Sequence, residues 1–145
     1  MKLLIKKLRE NAEVPKRQTP YSAGYDLCAC LDQPLVIRSG EVAKIPTGIS
    51  AEMEGSRDVV LLIYARSSLA TKLGIAPANC VGVVDWDYRG EIIVALKNSG
   101  SADFTVSHGD RIAQLVITPV LTPEVELRGE LSDTIRGAGG FGSTG

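Results

Sequence analysis

A chain of 145 residues, 44% hydrophobic and 23% charged, has the size and make-up of one globular domain. At this length a compact fold removes roughly 68–70% of the unfolded chain's surface from water. A formal charge of −1 gives no global field to draw in nucleic acid, and no apolar run approaches the ~18 residues of a membrane span, so no nucleic-acid or membrane partner is expected and the chain reads as cytoplasmic.

Taken in order, the first dozen residues interleave Lys and Arg with short apolar pairs, and LLI at 3–5 is the first apolar run. YDLCAC (25–30), PLVI (34–37), VAKI (42–45), VVLLIY (59–64), CVGVV (80–84), EIIVAL (91–96), FTV (104–106), IAQLVI (112–117) and VEL (125–127) follow. Turn signals such as Ser39-Gly40, Asn98-Ser99-Gly100 and His108-Gly109-Asp110 divide them. Many short strands parted by turns predict an all-β sandwich or barrel. Pro34, Pro46, Pro77, Pro119 and Pro123 fall at run ends or in connections, where a missing ladder donor is tolerated. Only SSLATKLG at 67–74 suits a helix, with serines to cap it, Leu69 and Leu73 four apart, and Gly74 to end it. The last nine residues hold five glycines around Phe141, so 136–145 is expected to be a mobile tail on a single domain spanning 1–135. Three cysteines, Cys28, Cys30 and Cys80, are an odd number without metal-type spacing and predict reduced thiols.

Five stretches carry residues that chemistry could use. In AGYDLCA (23–29), Asp26 is either a turn residue or a hard-oxygen group at a strand edge, able to meet Mg²⁺ directly or through its water. In ARSSLA (65–70), Arg66, Ser67 and Ser68 converge with the backbone N–H groups of a helix start; this is either a phosphate-binding arrangement or an ordinary N-cap beside a solvated arginine. VGVVDWDYRGEI (81–92) interrupts a Val-rich strand with Asp85 and Asp87 around the only tryptophan. Carboxylates there must be hydrated, paired or employed, because an isolated buried one would protonate. In GDRIAQLVI (109–117), Gln114 falls on the apolar side with Ile112 and Val116 and needs a partner, while Arg111 is solvated or paired with an aspartate. In RGAGGFGSTG (136–145), the backbone amides, Arg136, Phe141, Ser143 and Thr144 could wrap a ligand, or the segment could be a disordered end.

Other chemistries lack their residues. The chain has no G-x-x-x-x-G-K-[ST], no dinucleotide-binding fingerprint of G-x-G-x-x-G set between a strand and a helix, and no P-C-x-x-C zinc signature. The single histidine, His108, sits in a turn and reads as structural.

Together and in this order, AGYDLCA, ARSSLA, GVVDWDYRGEI, GDRIAQL and RGAGGFGSTG resemble the five motifs of the trimeric dUTPase family and cover the chain from residue 23 to its end. The resemblance implies a distorted jelly-roll β-fold and a homotrimer with sites shared between subunits. It also implies Mg²⁺-dependent hydrolysis of dUTP to dUMP and pyrophosphate, which supplies dUMP for thymidylate synthesis and limits uracil in DNA. By the same resemblance Asp85 orients the attacking water, Tyr88 packs on the deoxyribose, and Asn79 with Gly82, Val83 and Val84 reads uracil. Arg66, Ser67, Ser68 and Gln114 meet phosphates, and Asp26 meets the Mg²⁺ water shell. Arg136 takes the γ-phosphate, and Phe141 covers the base with Gly142 and Ser143 beside it as the tail closes. Asp87 is expected to be hydrated or paired with Arg89, and Trp86 to pack at a subunit boundary. The second motif departs from the usual R-S-G, with Ser68 in the glycine place. A dCTP deaminase of similar fold, which typically uses a glutamate where Asp85 stands, is the nearest rival reading; a non-catalytic nucleotide-sensing or partner-binding protein is the other.

Overall fold

The computed structural model describes residues 1–140; Phe141, Gly142, Ser143 and Thr144 lie outside them. Eleven strands run in chain order among the described residues: β1 (Lys2–Lys7), β2 (Tyr25–Cys28), β3 (Leu35–Ile37), β4 (Val42–Pro46), β5 (Ile49–Glu54), β6 (Val59–Tyr64), β7 (Ile75–Pro77), β8 (Gly82–Val84), β9 (Ile93–Asn98), β10 (Phe104–Val106) and β11 (Arg111–Pro119). They pair, all antiparallel, into sheets of order β1-β5, β3-β10, β4-β9-β7 and β2-β11-β6-β8, and none of the four closes into a barrel. No helix among the described residues is long and apolar enough to cross a membrane.

Alternation explains which side of each strand turns inward. Leu61 and Ile63 of β6 are buried while Leu62 and Tyr64 stay half-buried, and in β9 Val94, Leu96 and Asn98 go in while Ile93 and Lys97 stay out. These residues join Leu27, Ile37, Ile45, Ile49, Ile75, Ile92, Val106, Ile112 and Leu115 in one core. Asn98 is one of three buried polar residues among those described, with Thr47 and Ser50, and its side chain is fully satisfied. Its Nδ2 donates to Ile37 O and Ala102 O, both at 2.8 Å, and its Oδ1 accepts from Gly100 N–H at 2.9 Å, which holds the turn after β9.

Two expected elements change. VEL at 125–127 is not a strand: it lies in an exposed segment that follows β11, with no ladder partner. The helix is present over 67–73 but changes type: Ser67 and Ser68 form its α-helical start, and Leu69–Leu73 is a wide π-type turn that ends where Gly74, at φ 69°, donates to both Ala70 O and Leu69 O. The serines do not cap it, since Ser68 is itself in right-handed helical conformation and makes no side-chain cap bond. Two strands had gone unread. In β5, ISAEME alternates strictly, with Ile49, Ala51 and Met53 buried, but contains no continuous apolar run. In β7, IAP is three residues long.

Candidate active site

The first cleft, of about 510 Å³, lies where β2, β11 and the loop after β6 meet. Strand register builds it. Asp26 of β2 and Tyr64 of β6 both stand opposite Gln114 of β11, and the chain leaves β6 directly into Ala65 and Arg66. A register shift between Arg111 and Ala113 places Ile112 and Ala113 both in the core. Gln114 and Val116 therefore share a face, as their spacing predicts, but that face lines the cleft. Gln114 Nε2 donates to Ala65 O at 2.9 Å, which is the partner its half-burial demands. Behind it, a Cβ on Gly24 would come 2.5 Å from Gln114 Oε1, so the glycine of AGYD is the seat on which this side chain rests.

Asp26 is the electrostatic centre of the cleft. Its side chain is 12% exposed; Oδ1 accepts from Arg66 Nε at 3.1 Å and Oδ2 from Arg111 NH1 at 3.2 Å. Arg66 also donates from NH1 to Arg111 O at 3.2 Å, so three residues from three stretches of chain lock together. Of the two possibilities for Arg111, pairing with an aspartate is the one realised. Nearby, burial pushes the Cys28 thiol up from its ordinary value, with Glu13 and Asp26 adding to the rise and Arg111 and Arg66 opposing it. The thiol thus stays protonated and is a poor nucleophile at neutral pH. Ser67 and Ser68 line the same cleft, exposed, with no side-chain hydrogen bond from either hydroxyl among the described residues. Ser22 and Gln18, which carried no motif signal, complete one wall.

The second cleft, about 220 Å³, is formed by Val83, Val84, Asp85, Tyr88, Glu91, Ile92 and Ile93. Here a tight turn carries the chemistry: Tyr88 N–H donates to Asp85 O at 3.1 Å, closing Asp85-Trp86-Asp87-Tyr88 at the end of β8. The Asp85 carboxylate is exposed and bonds no side chain or backbone group among the described residues. Arg89 is not paired with Asp87. It donates from NH1 to Trp86 O at 2.6 Å and Tyr88 O at 3.1 Å, and its NH2 lies 3.4 Å from Glu52 Oε1 on β5. Trp86 is half-buried, donates to Met53 O at 3.3 Å and has the guanidiniums of Arg57 and Arg89 at 5.1 and 5.4 Å from its ring centre.

The clefts share no lining residue. Asn79, exposed on the turn between β7 and β8, and Gly82, buried against Ile63, line neither. Arg136 is exposed and donates to Gly139 O at 2.9 Å within its own turn. Among the described residues no group of three His, Cys, Asp or Glu side chains could hold a metal ion. With both Asp26 oxygens turned to guanidiniums, a Mg²⁺ ion held by the protein alone does not fit.

An all-β frame with a polar, hydroxyl-lined cleft holding Arg66, and a separate hairpin whose Asp85 carboxylate has no partner among the described residues, has the groups suited to a class of proteins that bind a polyanionic ligand and offer a proton acceptor. Comparison with known proteins narrows it. The family model for dUTPase matches residues 10–145. Deoxyuridine 5'-triphosphate nucleotidohydrolase of Desulfitobacterium hafniense is 53% identical over 133 residues, 92% of this chain and 87% of that protein. The enzyme of the same name from Leptospira interrogans is 46% identical over 146 residues, covering 100% and 99% of the two chains. Among solved structures, the Staphylococcus bacteriophage 80alpha dUTPase with dUPNHPP is 28% identical, with a TM-score of 0.87 over 99% of this chain and 98% of that one. A mutant dUTPase from phage phi11 of S. aureus, described for its coordination of a structural Mg(II) ion, is 24% identical with a TM-score of 0.80 and supports the fold. The chain belongs to the dUTPase family.

Proposed function

We propose that the protein is a dUTP diphosphatase that hydrolyses dUTP to dUMP and pyrophosphate. The observation that carries this reading is the cleft that gathers Asp26, Arg66, Ser67, Ser68 and Gln114 from three separate stretches of chain, on a family member whose relatives bear the nucleotidohydrolase name. Arg66 and the two serine hydroxyls receive the triphosphate, with charge-assisted bonds to its oxygens. Mg²⁺ enters as part of the substrate, carried on phosphate oxygens; Asp26, already facing two arginines, touches at most its water shell.

The hairpin supplies the base recognition and the base catalyst. Backbone groups of Gly82, Val83 and Val84 with Asn79 pair with the uracil edge and mismatch the amino group of cytosine. Tyr88 covers the sugar. Asp85 takes a proton from the water that attacks the α-phosphorus, a contribution of about 10²–10⁴-fold for a positioned general base. Arg136 and the tail residues Phe141, Gly142 and Ser143 close the site, so 136–145 acts as a lid on the domain formed by 1–135.

The site is shared in a homotrimer. Two observations support this. The phosphate and Asp85 clefts share no residue within one chain. In addition, Leu121, Val125, Leu127, Leu131 and Ile135 lie beyond β11, each at least 88% exposed, so five large apolar side chains of this segment are left uncovered by the single chain.

Pyrophosphate release from dUTP, UTP, dCTP and dTTP in parallel tests the proposal. Release from dUTP alone is the expected result. Ammonia from dCTP, with no pyrophosphate from dUTP, would assign the fold to deamination instead, and inertness to all four would make it a binding protein.

A further inference from the structure

Most glycines whose backbone needs glycine announce it by a left-handed φ, as Gly40, Gly48, Gly55, Gly74, Gly109 and Gly137 do here. Gly90 is not among them, so its main chain accepts any L residue. What requires a glycine at 90 is a neighbour. A Cβ there would lie 2.5 Å from Tyr88 Cζ and 3.0 Å from Cε2, with the phenol oxygen closer still. The Tyr88 ring thus lies directly on Gly90, and its hydroxyl donates to Glu91 O at 3.0 Å.

The surface beneath the ring is fixed. Glu91 Oε1 accepts from Gly48 N–H at 2.8 Å, and Ile92 O accepts from the buried Thr47 hydroxyl at 2.6 Å, while Ile92 N–H donates to Ile49 O at 2.9 Å. Tyr88 lines the Asp85 cleft and Gly90 does not, so Gly90 meets the cleft only through contacts such as the Tyr88 ring. The ring's position is permitted by the absent Cβ at 90 and anchored at the hydroxyl by the Glu91 carbonyl.

We propose that Gly90 is a positioning residue for sugar discrimination: by letting the Tyr88 ring rest against it, it sets the space that admits C2′ of a deoxyribose and refuses a 2′-hydroxyl. This rests on the reading that the hairpin receives the nucleoside. Gly90→Ala lifts the ring by the width of a methyl group. A misfit of that size in a close pocket changes selectivity by roughly 10–200-fold, so the dUTP-to-UTP ratio of kcat/KM should fall at least about tenfold in Gly90→Ala.

A double-mutant cycle isolates the route. If Gly90 acts only through the ring, Gly90→Ala in a Tyr88→Ala background should leave the ratio unchanged within about twofold, because the two residues are in contact and couple. Tyr88→Phe, which keeps the ring and loses the Glu91 anchor, should lower the ratio less than Gly90→Ala and serves if the alanine variant does not fold. An unchanged ratio in both Gly90→Ala and Tyr88→Phe would overturn the proposal, as would an equal effect of Gly90→Ala with and without Tyr88. Wild-type protein inactive on dUTP would instead remove the proposed function, a separate result read in the same assay.

Discussion

Around Asp26 nearly every charge is answered within the chain: two guanidiniums meet one carboxylate, and Arg66 is further tied to Arg111 O. Around Asp85 the hairpin is held by a turn bond from Tyr88 N–H, a tyrosine lying on a glycine, a tryptophan hung from Met53 O, and Arg89, which ties Trp86 O and Tyr88 O to Glu52; the Asp85 carboxylate itself has no partner among the described residues. In the first cleft charge is part of the framework, so removing it disturbs structure. In the second the framework uses Arg89 and Glu52 but not Asp85, which leaves the Asp85 carboxylate available for chemistry.

The largest expected effect breaks the comparison at its functional end. Asp85→Asn should lower kcat on dUTP by at least about 10²-fold, the lower bound for a positioned general base, while affinity for a non-hydrolysable dUTP analogue and the thermal midpoint stay at wild-type values. Undiminished turnover, measured as pyrophosphate release, would strip the unpaired carboxylate of its role. Next comes the lid. Removal of residues 136–145 should cost about 10²-fold in kcat/KM, the scale of losing one charged donor to the transition state. The same deletion should leave the thermal midpoint nearly unmoved, because among the described residues it removes, 136–138 are exposed and only 139–140 are half-buried. A truncated chain with full activity would show that the two clefts suffice.

At the structural end, Asp26→Asn exchanges a carboxylate bonded to two arginines for an amide that can accept through one oxygen. Hydrogen bonds to charged groups are worth about 1.5–3 kcal/mol, and urea denaturation should show a loss of that order. Asp85→Asn should show none. Equal unfolding midpoints for the two variants would erase the contrast between the clefts.

The sequence carried the strand count better than the neighbourhoods. Apolar runs located nine of the strands, because a continuous Val-, Leu- or Ile-rich stretch has few other fates. The alternation in ISAEME held β5 equally plainly, and reading period two instead of runs would have found it. VEL at 125–127 has the right residues but no partner strand, and pairing is not a local property. The same limit applies to the site. The order of five motifs marked Asp26, Arg66 and Gln114, yet their meeting depends on the β2-β11-β6 register, and the shift after Arg111 turned Gln114 from core to cleft. Gly24 and Gly90 carry no signal beyond being glycine; only the side chains resting on them, Gln114 and Tyr88, reveal why.

The smallest effect is expected at Ser68, where the family pattern usually has glycine. If the backbone demanded glycine there, φ would be positive; it is −65° with ψ −38°, a conformation open to any residue. The side chain is exposed on the cleft wall and caps nothing, so Ser68→Gly removes no internal bond. It loosens the start of a short helical turn, at a cost of up to about 1 kcal/mol for glycine in a helix. If the hydroxyl meets a phosphate oxygen as one neutral bond among several, kcat/KM on dUTP should shift by less than about tenfold, since such a bond is worth about 0.5–1.5 kcal/mol net. A loss of two orders of magnitude would place Ser68 among the groups that stabilise charge in the transition state, and the phosphate cleft would then, like the hairpin, depend on a side chain that the fold itself does not use.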